Sequence, residues 1–290
     1  MLVPRDTRDF SSSQSLAPAE AANFMAAAKE SSEKKDRQFV TALSRGLDIL
    51  RCFDAQHRSL GTAEIARLTG LPQPTVWRLC HTLIEDGYLV QVDRKDKLRP
   101  GIPILSLGYS AIAATPLAEL AYDAMNAIAI RHQGSVSLGM RDGSGMIYLQ
   151  RCQGSQIILR DMGIGSRVPL LISATGWAYL AGLDQQRRKA ALAELKKAEP
   201  EQYRQAAKKF DVAMQEFAKT GYLVNKASLH PQINAVAVPV VSEDGTKVLG
   251  LSSGGINQLF DDKKLKLVAG ELKRLAAELS SALTAQQNIR

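Results

Sequence analysis

One pattern in the sequence is typical of an enzyme nucleophile, the serine of Gly250-Leu-Ser252-Ser-Gly254. In a hydrolase, a G-x-S-x-G serine lies on a sharp turn between a strand and a helix, and an acid and then a histidine follow it. Here a strand is predicted before the motif, but GGINQLF follows it, and the last histidine, His230, lies upstream. We therefore expect no catalytic residue, and a small-molecule hydrolase that uses Ser252 is the alternative.

Patterns that would hold a metal or a cofactor are weaker. The sequence has neither an HExxH motif nor a P-loop, and Gly163-x-Gly165 lacks the third glycine of a dinucleotide loop. Four histidines are too widely separated to suggest a metal site: His57, His81, His132 and His230. We expect neither a metal nor a cofactor. Three cysteines without a CxxC pair predict reduced, buried thiols in a cytoplasmic protein.

Small residues in the second half indicate a place for a ligand. Ser173–Gly176 begin a predicted helix, whose free N–H groups favour anions. Ser252–Gly255 are predicted to end a strand, which would leave room for a ligand beside hydroxyl donors. Ordinary turns and helix starts explain the same residues equally well, so both interpretations stay open at this point.

Length and composition limit the classes of protein that can hold such sites. A chain of 290 residues with 45% hydrophobic and 23% charged residues is typical of two globular domains, and its apolar runs are too short for a membrane span. The net charge of +8 permits a polyanionic partner without proving one. Residues 37–101 hold ten Lys and Arg against seven Asp and Glu, so most of the excess lies elsewhere.

Residues 37–101 predict a winged helix-turn-helix domain that follows a flexible tail at 1–36. The first helix has one apolar face, formed by Leu43, Leu47, Leu50 and Phe53. A second helix over 62–69 has Thr62 as its predicted N-cap and stops at Gly70, and a third runs from near Pro74 to about Asp86. Strands at 88–92 and 98–100 enclose a charged turn. The glycine turn sets the third helix at a steep angle, so that it can enter a major groove.

Two groups of residues are expected to contact DNA. Bases would be read at the start of the third helix by Gln73, Thr75, Trp77 and Arg78. Phosphates would be bound by cations of the helices and the wing, namely Arg45, Arg78, Arg94, Lys95, Lys97 and Arg99. The alternatives are that Trp77 lies in the core and that the cations form a solvated face.

Residues 102–115 predict a linker helix, and 116–290 predict a second domain. This domain begins with a helix to about His132, followed by strands at 136–140, 146–151 and 157–159. Helices at about 173–182, 184–197 and 201–219 come next, then strands at 222–226, 234–241 and 247–252 and a final helix over 261–284. The order predicts an α+β domain with a largely antiparallel sheet.

Several runs in this order resemble a known family. ALSRGLDILRCF at 42–53, then TAEIARLTGLPQPTVWRLCHTLIEDGYL and LRPGIPILSLG, resemble the DNA-binding half of IclR-type transcriptional regulators. GSRVPLLISATGWAYLAGL, FAKTGYLVNKASLHPQINAVAVPVVSEDG and VLGLSSGG resemble the ligand-binding half of that family. The resemblance covers residues 38–285.

The resemblance implies a winged helix-turn-helix joined by a linker helix to a GAF-like effector domain. It implies a homodimer or homotetramer on double-stranded operator DNA, and a small organic or aromatic acid as effector. The effector would lie between the sheet and the helix after the GSRxPL loop. Its implied lining is Ala174, Thr175, Asn225, Ala235, Ser252 and Gly254.

Four positions depart from the family pattern, and one of them is Gly254, which stands where some members have Ser. Leu171 and Trp177 stand where members often have His and Lys, and Asn225 stands where an acid is common. A neutral amide removes a charge from the pocket and can both donate and accept hydrogen bonds. We therefore expect an acid that is larger than the small keto acids of well-known members. An architectural DNA-binding protein with an empty pocket is a third alternative.

Overall fold

The computed structural model describes residues 38–92, 96–155, 159 and 162–285. The predicted tail and the proposed wing residues Arg94 and Lys95 lie outside this part of the chain. The first domain contains helices α1 (Thr41–Leu50), α2 (Thr62–Thr69) and α3 (Gln73–Glu85) and strands β1 (Leu60–Gly61), β2 (Leu89–Val92) and β3 (Lys97–Pro100). The strands form an antiparallel sheet in the order β1-β3-β2.

The first domain is built around one small core. Ile49, Ile65, Val76 and Leu89, one from each of α1, α2, α3 and β2, are fully buried there. Gly70 ends α2 in the left-handed conformation with φ +65°, and Pro72 precedes α3, so the turn between the two helices is short. The winged helix-turn-helix predicted from the sequence is therefore present.

One local prediction for this domain is wrong, and the predicted apolar face of the first helix is only partly buried. Leu43 and Leu47 are exposed, Leu50 and Phe53 pack against the core, and Ile49 is fully buried. Thr62 is the first residue of α2 and not its N-cap. The cap is Gly61, whose N–H donates to Glu64 Oε2 at 2.8 Å, and a glutamate at this position also favours the positive end of the helix dipole.

The second part of the chain holds a six-stranded antiparallel sheet in the order β6-β5-β4-β9-β8-β7. The strands are β4 (Ser135–Asp142), β5 (Gly145–Gln153), β6 (Arg167–Pro169), β7 (Leu223–Lys226), β8 (Ile233–Val241) and β9 (Val248–Ile256). The helices are α4 (Pro103–Ala113), α5 (Pro116–Leu120), α6 (Tyr122–His132), α7 (Ala174–Gly182), α8 (Gln185–Ala198), α9 (Pro200–Thr220) and α10 (Asp262–Ala285).

Both faces of this sheet are covered. One face packs against α6 and α10 through alternating residues such as Val136 and Leu138, as the sequence predicts. The other face packs against α7 and α9, where Trp177 meets Phe210 edge to face with ring centroids 5.9 Å apart. The predicted α+β class is confirmed.

Most predicted elements lie within two residues of their expected bounds, but strands β1 and β6 were not predicted, and three expectations differ from the structure. The helix predicted from Pro116 to His132 is broken at Ala121 into α5 and α6. The predicted strand at 157–159 falls mostly outside the described residues, and Leu159 itself is not in a strand. β9 continues to Ile256, so Ser252–Gly255 lie inside a strand and do not end one.

Because β9 continues through the G-x-S-x-G motif, the motif does not form the sharp turn that a hydrolase nucleophile needs. Gly250, Ser252 and Gly254 all lie within β9, paired with β4 on one side and β8 on the other. A hydrolase serine must project from a sharp turn into a helix. Ser252 therefore lacks the backbone geometry on which the hydrolase alternative depends.

Candidate DNA-binding face and ligand cavity

The start of α3 presents an exposed face opposite the domain core. Val76 and Cys80 are buried, whereas Gln73, Trp77 and Arg78 are exposed, and Thr75 is half-buried between them. Trp77 is 60% exposed, so the interpretation that it lies in the core is wrong. Trp and Arg are both enriched at surfaces that bind a partner.

A histidine extends this face along α3. The rings of Trp77 and His81 lie with their centroids 5.6 Å apart, and His81 Nδ1 is 3.8 Å from the Glu85 carboxylate. Glu85 is the first acidic residue of α3, and it stands at the end of the helix. The first three turns therefore carry no negative charge, which suits an approach to DNA phosphates.

The wing adds cations on one side. Lys97 and Arg99 are exposed on β3, and Leu98 between them is buried in the core, because side chains alternate along a strand. Arg45 differs from these residues. It is half-buried in α1, and its Nε is enclosed with no hydrogen-bond partner in the described structure.

A cavity lies between the sheet and α7. It encloses about 590 Å³ of empty space, part of it open to solvent. All six residues that the resemblance implied are in its lining, which comprises Ala174, Thr175, Asn225, Ala235, Ser252 and Gly254.

The register of the sheet explains why residues so distant in sequence meet. Ser137 on β4 pairs with Ser252 on β9 and with Arg151 on β5. In the next row toward one end of the strands, Gly254 pairs with Ser135 and Ala235. Residues two apart on a strand face the same side, so these two rows form one continuous floor.

The first turn of α7 sits directly on this floor. A Cβ at Gly250 would lie 2.0 Å from the Thr175 carbonyl oxygen, so only glycine permits this approach. Ser173 caps the helix by accepting from the Gly176 N–H at 3.1 Å. Thr175 Oγ1 and Ser252 Oγ form a hydrogen bond of 2.7 Å between the helix and the sheet.

The positions that depart from the family pattern have structural partners. Trp177 is buried, and its Nε1–H donates to the Leu171 carbonyl oxygen at 2.5 Å. Asn225 is buried, and its Nδ2 donates to the Ile172 carbonyl oxygen at 3.1 Å. Asn225 thereby connects β7 to the segment that leads into α7, and it puts a neutral amide at the cavity.

Arg151 is the cavity residue that sequence reasoning missed. A register shift between Leu138 and Gly139 leaves Leu149 without a partner on β4. The bulge places both Tyr148 and Arg151 in the cavity lining, although residues three apart on a regular strand face opposite sides. No feature of the sequence predicts this bulge. The alternation of side chains along a regular strand therefore could not place Arg151 in the cavity.

Arg151 is the only charged residue among the cavity-lining residues that the structure describes. Its Nη1 donates to Ser137 Oγ at 2.6 Å, and its guanidinium carbon lies 5.3 Å from the centre of the Tyr148 ring. Burial lowers the pKa of Arg151, and the nearby Tyr148 opposes that shift. Among the lining residues that the structure describes there is no Asp, Glu or His, so the site has neither a general base for Ser252 nor a carboxylate for Arg151.

The described ranges show neither a metal centre nor a reactive thiol. No group of three or more His, Cys, Asp and Glu residues within them is arranged to hold a metal ion. Burial raises the pKa of Cys52 to about 12 and that of Cys80 to about 11, which keeps both thiols protonated. No described helix has both the length and the apolar character needed to cross a bilayer.

A winged helix-turn-helix followed by a sheet domain with an internal cavity defines a DNA-binding transcriptional regulator. Residues 42–93 match the family model of the IclR helix-turn-helix domain, and residues 109–281 match that of the bacterial transcriptional regulator IclR C-terminal domain. The chain therefore belongs to the IclR family, whose members are regulators and not enzymes.

Individual relatives agree with this assignment. The HTH-type transcriptional regulator TsaQ1/TsaQ2 of Comamonas testosteroni is 33% identical over 204 residues, which cover 70% of this chain and 73% of that protein. The crystal structure of an IclR family regulator from Brucella abortus is 35% identical, with a TM-score of 0.79 over 90% of this chain and 98% of that one. An IclR homologue complexed with 4-hydroxybenzoate, from Microbacterium hydrocarbonoxydans, shares the fold at 18% identity, with a TM-score of 0.66 over 84% of this chain and 100% of that one.

Proposed function

We propose that this regulator binds double-stranded operator DNA in the cytoplasm and that a small organic or aromatic acid in the cavity changes that binding. The observation that carries the proposal is the convergence of α7 and five strands on one cavity, which holds an arginine with no acidic partner among the described residues. Such a cavity suits an anionic small molecule. We also propose the division into a tail at 1–36, a DNA-binding domain at 37–101, a linker at 102–115 and an effector domain at 116–290.

Sequence reading is assigned to the exposed start of α3. Gln73, Thr75, Trp77 and Arg78 would meet base edges in the major groove, where arginine is the commonest partner of guanine. Lys97 and Arg99 on the wing would bind flanking phosphates, together with Arg94 and Lys95, which lie beyond the described residues. Arg45 would also contact a phosphate, although it is half-buried and therefore less accessible than the described cations Arg78, Lys97 and Arg99.

Self-association is assigned to α4. No residue of this helix is buried, and its sequence PILSLGYSAIA contains no charge. Leu105 is 71% exposed, and Ile102, Leu107 and Tyr109 are similarly open. An uncharged, apolar helix of this kind favours burial against a second copy of the chain, as a homodimer or within a homotetramer.

The DNA assignment is tested with arginine variants on genomic fragments that flank the gene. Arg78→Ala should weaken binding to the specific fragment roughly 5- to 150-fold, since a good base contact contributes about 1–3 kcal/mol. Arg204→Ala, which removes an exposed arginine of α9, is the control for net charge and should bind like wild type. Equal affinity of Arg78→Ala and wild type in a gel shift would show that the assignment of α3 is wrong.

A further inference from the structure

Taking the proposed function as given, the geometry points to Arg151 as the residue that binds the carboxylate of the effector, and to an effector with one carboxylate on an apolar, ring-sized body. This goes beyond the six residues that the resemblance implied. It rests on the surroundings of the guanidinium, on the charges in the cavity and on the chemistry of the opposite wall.

The guanidinium of Arg151 has unused donors. Of its five N–H groups, one donates to Ser137, and Nε is enclosed with no hydrogen-bond partner in the described structure. A planar fork of donors that still has an unpaired N–H suits the two oxygens of a carboxylate. Ser252, which stands in the same row of the sheet beyond Ser137, offers a hydroxyl to the same ligand.

The other two arginines of this sheet are each paired with a carboxylate. Arg141 is paired with Glu194 at 2.5 Å, and Arg167 is paired with Asp142. Arg151 has no such partner in the described structure, although it is half-buried and its guanidinium lies against the Tyr148 ring. A partly buried charge without a counterion is unfavourable for a fold, so an arginine in this position is best explained by a ligand that supplies the negative charge.

The remainder of the cavity determines the rest of the ligand. Its far wall is apolar and is formed by Leu229, Ile233, Ala235 and Ile256, and Asn225 beside them is neutral. Since no second Lys or Arg is found in the described lining, a second carboxylate would be buried without a partner. The cavity therefore favours a monocarboxylate whose other end is apolar or aromatic.

The test measures binding by calorimetry to the full chain. The probes are benzoate, 4-hydroxybenzoate, phenylacetate and cinnamate, each with its uncharged amide, together with acetate and phthalate. 4-Hydroxybenzoate is included because a protein of this fold is known in complex with it. The variants are Arg151→Met, which keeps the length without the charge, Arg151→Lys, which keeps the charge without the fork, and Arg204→Met as the control.

At least one aromatic monocarboxylate should bind wild type more tightly than its amide, acetate or phthalate. Arg151→Met should lower that affinity about ten- to a hundredfold, as expected for a charge-assisted hydrogen bond, and should leave the weak amide affinity unchanged. Arg151→Lys should fall between the two, and Arg204→Met should match wild type. Without ligand, Arg151→Met should unfold at the same temperature as wild type or higher, because an unpaired and partly buried charge is gone.

Three results would overturn the inference: binding of an acid to Arg151→Met within threefold of wild type, equal losses for the acid and its amide, or no binding by any acid of the panel. Equal losses are the pattern that a merely structural role produces. Operator binding in the absence of ligand separates these failures from that of the proposed function. If the specific fragment is still bound and Arg78→Ala still weakens it, the assignment to DNA stands while that of Arg151 falls.

Discussion

Two adjacent serines of β9 give a sharp test of how the cavity is built. Ser252 faces α7, where its hydroxyl bonds to Thr175 Oγ1 at 2.7 Å, and the two residues are only 7% and 1% exposed. Ser253 faces the opposite side of the sheet, between Val136 and Val236. It is 1% exposed, and its hydroxyl has no partner in the described structure.

The two hydroxyls should therefore differ in their effect on stability. Ser252→Ala leaves the Thr175 hydroxyl buried without its partner, which costs about 1–3 kcal/mol. Ser253→Ala removes a polar group that pays desolvation for no bond, so it should be neutral or stabilising. In Thr175→Val with Ser252→Ala both hydroxyls are gone and neither is orphaned, so the double variant should be more stable than the sum of the singles predicts, by about 1 kcal/mol.

The assay uses the two tryptophans of the chain. Trp177 is buried two residues beyond Thr175, whereas Trp77 is exposed in the first domain. In a Trp77→Phe background, fluorescence during urea denaturation follows the effector domain alone, which avoids the mixed transitions of a two-domain chain. Equal effects of Ser252→Ala and Ser253→Ala, or additive effects in the cycle, would refute the hydrogen bond as the link between helix and sheet.

Three further predictions concern assembly, the pH dependence of stability and thiol reactivity. Leu105→Glu should shift the chain toward monomer in light scattering, because it places a charge on the apolar face of α4. Ala190→Glu on the exposed side of α8 should leave the mass unchanged, and an unchanged mass for Leu105→Glu would show that α4 is not the interface. Burial keeps the pKa of Cys52 near 12 and that of Cys80 near 11, above the ordinary value of 9.0. The folded state therefore holds these protons more tightly, and the free energy of unfolding should be undiminished below pH 9 and should fall as the pH rises through 9 toward 11–12. Iodoacetamide at pH 8 should alkylate the folded protein far more slowly than the urea-unfolded protein, and equal rates by mass spectrometry would contradict the burial of these thiols.

Local patterns in the sequence were sufficient for the elements of the fold. The glycine at position 70 and the proline at 72 mark the turn of the DNA-binding domain, and the alternation of Val136 and Leu138 identifies a half-buried strand. The cavity lining was less accessible to such reasoning. The small residues at 173–176 and 252–255 suggested a ligand site but could equally be ordinary turns, and only the likeness to a family favoured Ala174 and Ser252. Asn225 and Ala235 were found through that likeness alone.

What sequence reasoning missed depends on contacts between distant segments. The exposure of Leu43 follows from how α1 lies on the core, which helical periodicity does not determine. The role of Arg151 depends on a bulge against β4, and the strand character of Ser252 depends on pairing with both β4 and β8. Small residues suggested a strand end because they have low strand propensity, and tertiary pairing overrode that preference.

The central claim is that an acid bound in the cavity changes the affinity for operator DNA. The most direct measurement is fluorescence anisotropy of the specific DNA fragment with the full chain, at fixed salt, with and without a saturating aromatic acid from the panel. Wild type should change its Kd for DNA at least fivefold, which corresponds to a coupling free energy of about 1 kcal/mol. In the absence of the acid, Arg151→Met should bind the DNA fragment like wild type. When the acid is added, the Kd of this variant for DNA should not change. An unchanged Kd for wild type with an acid that calorimetry shows to be bound would contradict the account.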